Sequence, residues 1–104
     1  MTHRVILRME VFPELAADFE RTWQEVAEAI SAEPANLGQT LVRDTEDEGV
    51  YWVLTDWSDE PRFRAFESSP QHVLHRMRLK PYRRGGAMYV TEVVRHLEPA
   101  VPAT

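Results

Sequence analysis

His72 and His75 stand three residues apart in the run His72-Val73-Leu74-His75-Arg76-Met77, a spacing that can put two imidazoles on one helix face with a guanidinium nearby. An imidazole titrates near pH ~6.5 and can take a proton from a weakly acidic substrate at neutral pH, which makes His75 a candidate general base. Arg76, or Lys80 one turn later, could hold the anion that results, and a cation does this best in a water-poor pocket. Trp57, Phe63 and Phe66 offer flat apolar walls for a fused aromatic ring. Tyr51 and Val53 share the strand parity of Trp57 and are expected on the same wall. The expected catalytic set is therefore Trp57, His75 and Arg76, with Tyr51, Val53, Phe63, Phe66, His72 and Lys80 binding substrate. Each has a plain structural alternative: Trp57 beside Phe63 also reads as core, and His75 beside Leu74 and Met77 also reads as a structural or surface histidine.

Other chemistries find less support. Two histidines can begin a metal site, but the sequence places no third ligand and an adjacent arginine repels cations, so no metal is expected. Gly85-Gly86 lacks the context of a phosphate loop, and Ser68-Ser69 lies at a helix break without the glycine elbow of a hydrolase. Tyr82 and Tyr89 could orient a ligand hydroxyl or simply pack. With no cysteine, thiolate metal sites, iron–sulfur clusters, disulfides and cysteine nucleophiles are all excluded.

Charge is unevenly distributed. The chain carries a formal −5, with seven acids in residues 10–35 and seven more in 44–60, whereas 61–84 holds Arg62, Arg64, Arg76, Arg78, Lys80, Arg83 and Arg84 against Glu67 alone. That basic segment is either a solvated face balancing its acidic neighbours or a local positive field for an anionic ligand. Eleven of the twelve bases are arginine, which suits planar recognition of carboxylate or enolate oxygens. Overall acidity argues against nucleic acid as a partner.

These residues need elements to position them. Val5, Leu7, Met9 and Val11 alternate with charge at Arg8 and Glu10, the period of a half-buried strand. From Pro13 the period changes, and Leu15, Phe19, Trp23, Val26 and Ile30 form one helical stripe that Pro34-Ala35-Asn36 ends. Gly38 to Val42, a polar turn over residues 45–49, and Val50 to Trp57 predict a hairpin. Ser58-Asp59-Glu60-Pro61 starts a helix that buries Phe63 and Phe66; Ser68-Ser69-Pro70 interrupts it before a further helical stretch from His72. Pro81 and Gly85-Gly86 are expected to stop that stretch ahead of a last strand, Ala87 to Val94. The order β-α-β-β-α-β predicts an α+β, ferredoxin-like domain with an antiparallel sheet over residues 1–96, followed by a flexible tail, 97–104.

Such a sheet carries helices on one face only. Trp52 and Leu54 load the other with apolar surface, and a chain of 104 residues is short of core, so a sheet-to-sheet homodimer is expected. The N-terminal stretch is broken by Arg4, Arg8 and Glu10, and no segment reaches membrane-spanning length; a soluble, cytoplasmic protein without a membrane partner is expected.

Tyr51-Trp52-Val53-Leu54-Thr55-Asp56-Trp57, followed by Ser58-Asp59-Glu60-Pro61-Arg62-Phe63, then Ser69-Pro70 and His75, resembles the antibiotic biosynthesis monooxygenase family, over about Arg4 to Val94. The resemblance implies a dimeric α/β barrel of two ferredoxin-like sheets, with a pocket in each subunit between sheet and helices. Members include small oxygenases that turn polyketide anthrones into quinones without metal or flavin, haem-degrading enzymes, and isomerases. The strand-end tryptophan of the quinone-forming oxygenases matches Trp57, and their oxyanion-holding helix arginine falls near Arg76 or Lys80. Their remaining polar positions fall on Val53, Leu7 and Phe63, all apolar here. The asparagine, tryptophan and histidine of the haem-degrading branch fall on Leu7, Phe66 and His75, of which only the histidine is kept. What the resemblance implies is a cofactor-independent monooxygenase that uses dioxygen to oxidise a hydrophobic, polycyclic aromatic phenol or anthrone to a quinone. The apolar replacements leave an alternative: a non-oxidative protein of the same fold, a cyclase, isomerase or ligand-binding accessory of a biosynthetic pathway.

Overall fold

A computed structural model describes residues 1–101 of the chain. The expected tail runs partly past them: 93–101 have no regular secondary structure, and 102–104 lie outside the described residues. Strand β1 (His3–Val11) buries Val5, Met9 and Val11 on one face and turns Arg4, Ile6, Arg8 and Glu10 to the other, as its alternation requires. Pro13–Leu15 forms a short 3-10 turn, so helix α1 (Ala16–Ile30) begins three residues after Pro13, where the period changes. It buries Phe19, Val26 and Ile30 and leans Trp23 on the core.

Strands β2 (Asn36–Arg43) and β3 (Val50–Trp57) form the expected hairpin. Its turn closes at Gly49, whose φ of 80° and the Val11 carbonyl, 2.5 Å from where a Cβ would stand, leave room for no side chain. Two separately capped helices follow. The Asp59 carboxylate accepts the Arg62 N–H at 2.8 Å to start α2 (Glu60–Glu67), and the Ser69 hydroxyl accepts the His72 N–H at 3.2 Å to start α3 (Pro70–Leu79). A second 3-10 turn, Lys80–Tyr82, leads into β4 (Arg83–Glu92).

The strands lie in the order β2-β3-β1-β4, every neighbouring pair antiparallel, which is the α+β, ferredoxin-like arrangement expected. The helices cover the inner face, which carries Val5, Tyr51, Val53 and Trp57. On the outer face Ile6, Trp52 and Leu54 are half-buried and Val42 and Tyr89 exposed. Among the described residues no helix is long and apolar enough to cross a membrane.

The last strand departs from expectation. It begins at Arg83 rather than Ala87, and Gly85-Gly86 lie inside it instead of ending a helix. Glu10 pairs with Gly85 and Val11 with Arg83, so Arg84 is one residue too many and β4 bulges. A Cβ on Gly86 would stand 2.4 Å from the Arg8 carbonyl oxygen, so the glycine allows the two strands to approach across the bulge.

Candidate active site

Between the helices and the inner sheet face lies a cavity of about 310 Å³. It follows β1 past Val5, Leu7 and Met9, running diagonally from Trp57 at the end of β3 to Gly86 and Met88 on the edge strand β4. Cover is thinnest at β4, where Met88 remains 43% exposed. Val26 and Ile30 of α1 and Phe63 and Phe66 of α2 close the other side.

Trp57 is 1% exposed and the centre of an aromatic cluster, its ring 4.7 Å from that of Phe66 and 5.6 Å from that of Phe63. The cluster continues across the α2–α3 break: Phe66 lies 4.7 Å from the His72 ring and 6.5 Å from that of His75. Because α3 is capped at Ser69, His72 and His75 fall on its cavity-facing side, 6.4 Å apart, with Arg76 following them into the lining.

Of the residues expected to act or bind, Trp57, Val53, Phe63, Phe66, His72, His75 and Arg76 all line this one cavity. Tyr51 and Lys80 do not. Tyr51 has the right strand parity, but at its level α1 sits over β3: Phe19 packs 4.9 Å from its ring, and its hydroxyl donates to Glu20, which also accepts from Arg43 at 2.6 Å. Lys80 belongs to an adjoining surface groove that shares Arg76, Arg83 and Gly86 with the cavity. Four polar lining residues, Gln39, Thr55, Glu67 and Arg83, were not among those expected from the sequence. Gln39 is tied to the α1 backbone, donating to the Ala27 carbonyl at 2.9 Å, whereas Arg83 has no such tether. Only the basic character of residues 61–84 hinted at Arg83.

Burial pushes the His72 imidazole below its ordinary range, with Arg76 and His75 adding to the effect. His75 is lowered for the same first reason, helped by Arg78. Both shifts favour the uncharged ring, the form that accepts a proton. Buried side-chain atoms without a hydrogen-bond partner include Trp57 Nε1, His72 Nδ1, His75 Nδ1 and Arg83 Nε, all on residues that line the cavity. An apolar chamber lined by indole, imidazole and guanidinium groups suits a flat organic molecule that has a few oxygens.

Comparison with known proteins points to one group. The family model described as antibiotic biosynthesis monooxygenase matches residues 2–76. A haem oxygenase of the mycobilin-producing type from Mycobacterium tuberculosis is 30% identical over 78 residues, 74% of each chain. The protein SchA of Streptomyces halstedii is 23% identical over 82 residues, which are 79% of this chain but only 22% of SchA. In fold, the chain superposes on SnoaB, a cofactor-independent oxygenase from Streptomyces nogalater, with a TM-score of 0.81 at 20% identity, covering 94% of this chain and 98% of the other.

Proposed function

The chain belongs to the antibiotic biosynthesis monooxygenase family, and we propose that it oxidises a bicyclic or tricyclic aromatic phenol or anthrone to a quinone, with dioxygen as oxidant and the substrate as electron source. The observation that carries this reading is the placement of an imidazole and a guanidinium, His75 and Arg76, in one aromatic-walled cavity. Size supports it. An apolar cavity of roughly 150 Å³ accepts one benzene ring, so one of about 310 Å³ suits two or three fused rings.

Each atom and electron has a place in the sequence of steps. His75 takes the acidic proton of the substrate, and Arg76 holds the oxygen on which charge develops. The anion gives one electron to triplet dioxygen, and the resulting radical and superoxide join in one C–O bond. Protonated His75 returns its proton to make the hydroperoxide. It then removes the remaining hydrogen on that carbon as the O–O bond breaks, leaving a carbonyl and water. Trp57, Phe63 and Phe66 keep water out and the ring plane fixed.

Oxygen uptake by purified protein with anthrone, under metal-free conditions, tests this. One dioxygen should be consumed per quinone formed, with one labelled oxygen atom in the product. Trp57→Phe and Arg76→Ala should each slow the reaction; unchanged rates in both would place the site elsewhere. Uptake no faster than autoxidation, with ligand still bound, would favour the non-oxidative alternative.

A second reading has its own observation: His75 faces the cavity with Nδ1 unpartnered, and the haem oxygenase of M. tuberculosis is a 30% identical relative. Haem would then be substrate, with His75 its ligand. A four-pyrrole macrocycle is a tight fit for this volume, and Leu7 and Phe66 contribute no polar contact. Titration with haemin decides the matter, since ligation by His75 would give a shifted Soret band that His75→Ala abolishes.

Ile6, Trp52 and Leu54, apolar side chains left half-buried on the outer face, support a sheet-to-sheet homodimer. Sedimentation at micromolar concentration should return twice the mass of one chain; a single-chain mass would overturn it.

A further inference from the structure

Taking the cavity as the substrate site, we propose that its ligand carries a carboxylate at the end remote from Trp57 and that Arg83 selects for it. The bulge in β4 creates the arrangement. In an uninterrupted strand, residues three apart point to opposite faces. The extra residue Arg84 resets the alternation, so that Arg83, opposite buried Val11, and Gly86, opposite buried Met9, both face inward. With no side chain on Gly86, the Arg83 guanidinium occupies the space above it: Nη2 lies 2.6 Å from where a Cβ would be.

That guanidinium is unspent. Among the described residues Arg83 makes no side-chain hydrogen bond, and its buried Nε has no acceptor within the fold, so nothing in the chain itself accounts for where the group is held. The acids nearby are already engaged: Glu67, in the cavity lining, accepts from Arg64 at 3.0 Å, and Glu10, beside Gly85, is paired with Arg8 at 3.1 Å. Arg76 and Lys80 share the adjoining groove with Arg83, and among the described residues none of the three forms an ion pair. A planar fork with flanking positive charge matches the two oxygens of a carboxylate. The geometry also gives a length. Trp57 is level with His3 and Gly86 with Met9, six residues of β1 or about 20 Å. Fused rings stacked at the Trp57 end would leave room for an acidic arm to reach Arg83.

The test uses an anthraquinone bearing a butanoate arm and its neutral hydroxybutyl analogue, titrated against tryptophan fluorescence of the intact protein. The native protein should bind the carboxylate about 10-fold tighter or more, the effect of one charged hydrogen-bonding pair. Arg83→Gln should reduce that preference to under about twofold, leaving the Kd of the neutral probe unchanged. Arg83→Lys, which keeps charge but not the fork, should fall between, and Arg84→Gln should behave as native. Equal binding of both probes by the native protein, or a preference that survives Arg83→Gln, would overturn the role of Arg83 while leaving the aromatic cavity intact. Failure of both probes to bind would overturn the cavity reading and this proposal together.

Discussion

Two stretches of the inner sheet face are built from the same kinds of residue and treated differently. Around Tyr51, an aromatic stripe meets polar side chains and every hydroxyl and charge is used: Tyr51 donates to Glu20, Arg43 pairs with Glu20, and Thr22 donates to the Tyr82 hydroxyl at 3.2 Å. Around Trp57 and β4, aromatic rings again meet polar groups, yet Trp57 Nε1, two histidine Nδ1 atoms and Arg83 Nε have no partner. Folding selects for satisfied polar groups wherever satisfaction is possible. Four such atoms sit on residues beside one open volume, and that contrast, more than the mere presence of histidine or tryptophan, is what marks this stretch as the candidate site.

The contrast can be broken most forcefully at His75. Replacing it with Gln should lower the oxygenation rate by about 10²- to 10⁴-fold, the usual contribution of a general base, while thermal unfolding shifts little because the ring makes no hydrogen bond in the fold. Equal losses of rate and stability would make it a structural residue. Tyr51→Phe should do the reverse, costing about 1–2 kcal/mol in denaturant unfolding for the lost hydrogen bond to Glu20, which keeps its Arg43 partner, with the rate within about twofold of native.

The pH profile sharpens the same distinction. Both histidine pKa values are lowered by burial, so activity should hold down through pH 6.5 and fall only below the ordinary imidazole range. Stability should decline in the same direction. Below about pH 6.5 the unfolded chain binds protons that the folded one resists, so acid favours unfolding, and the loss grows until pH falls below the folded-state values. A His72→Gln, His75→Gln double variant should flatten that slope. Smallest of all, Thr22→Val should cost no more than about 1.5 kcal/mol for one lost hydrogen bond and leave activity untouched, as measured by chemical denaturation and oxygen uptake.

Much of this architecture was legible in the sequence because local patterns and tertiary structure agree. The alternation around Val5, the 4-4-3-4 stripe from Leu15 to Ile30 and the run Ser58-Asp59-Glu60-Pro61 each point to the element that forms. Trp57, Phe66 and His75 converge because strand parity and helix phase carry them to one side. Tyr51 obeys the same parity and still lies elsewhere, since parity fixes a face and says nothing about which part of it a helix covers. The Gly85-Gly86 pair is legible only as a break. Its meaning depends on Arg8 in another strand, and with it goes the inward turn of Arg83, which depends on a register shift that no local pattern encodes.

The break at Ser68-Ser69-Pro70 has a consequence for how this scaffold changes over time. Because α3 has its own cap, its rotation about its axis is set by the length of the turn before it, and one residue more or fewer would swing its side chains by about 100°. Such a change would take His72, His75 and Arg76 out of the cavity and bring Val73, Leu74 or Met77 in, without touching the sheet. Insertions and deletions of single residues at this turn are therefore a way for one fold to exchange a proton-accepting wall for a greasy one, altering chemistry by indel where substitution would need several steps.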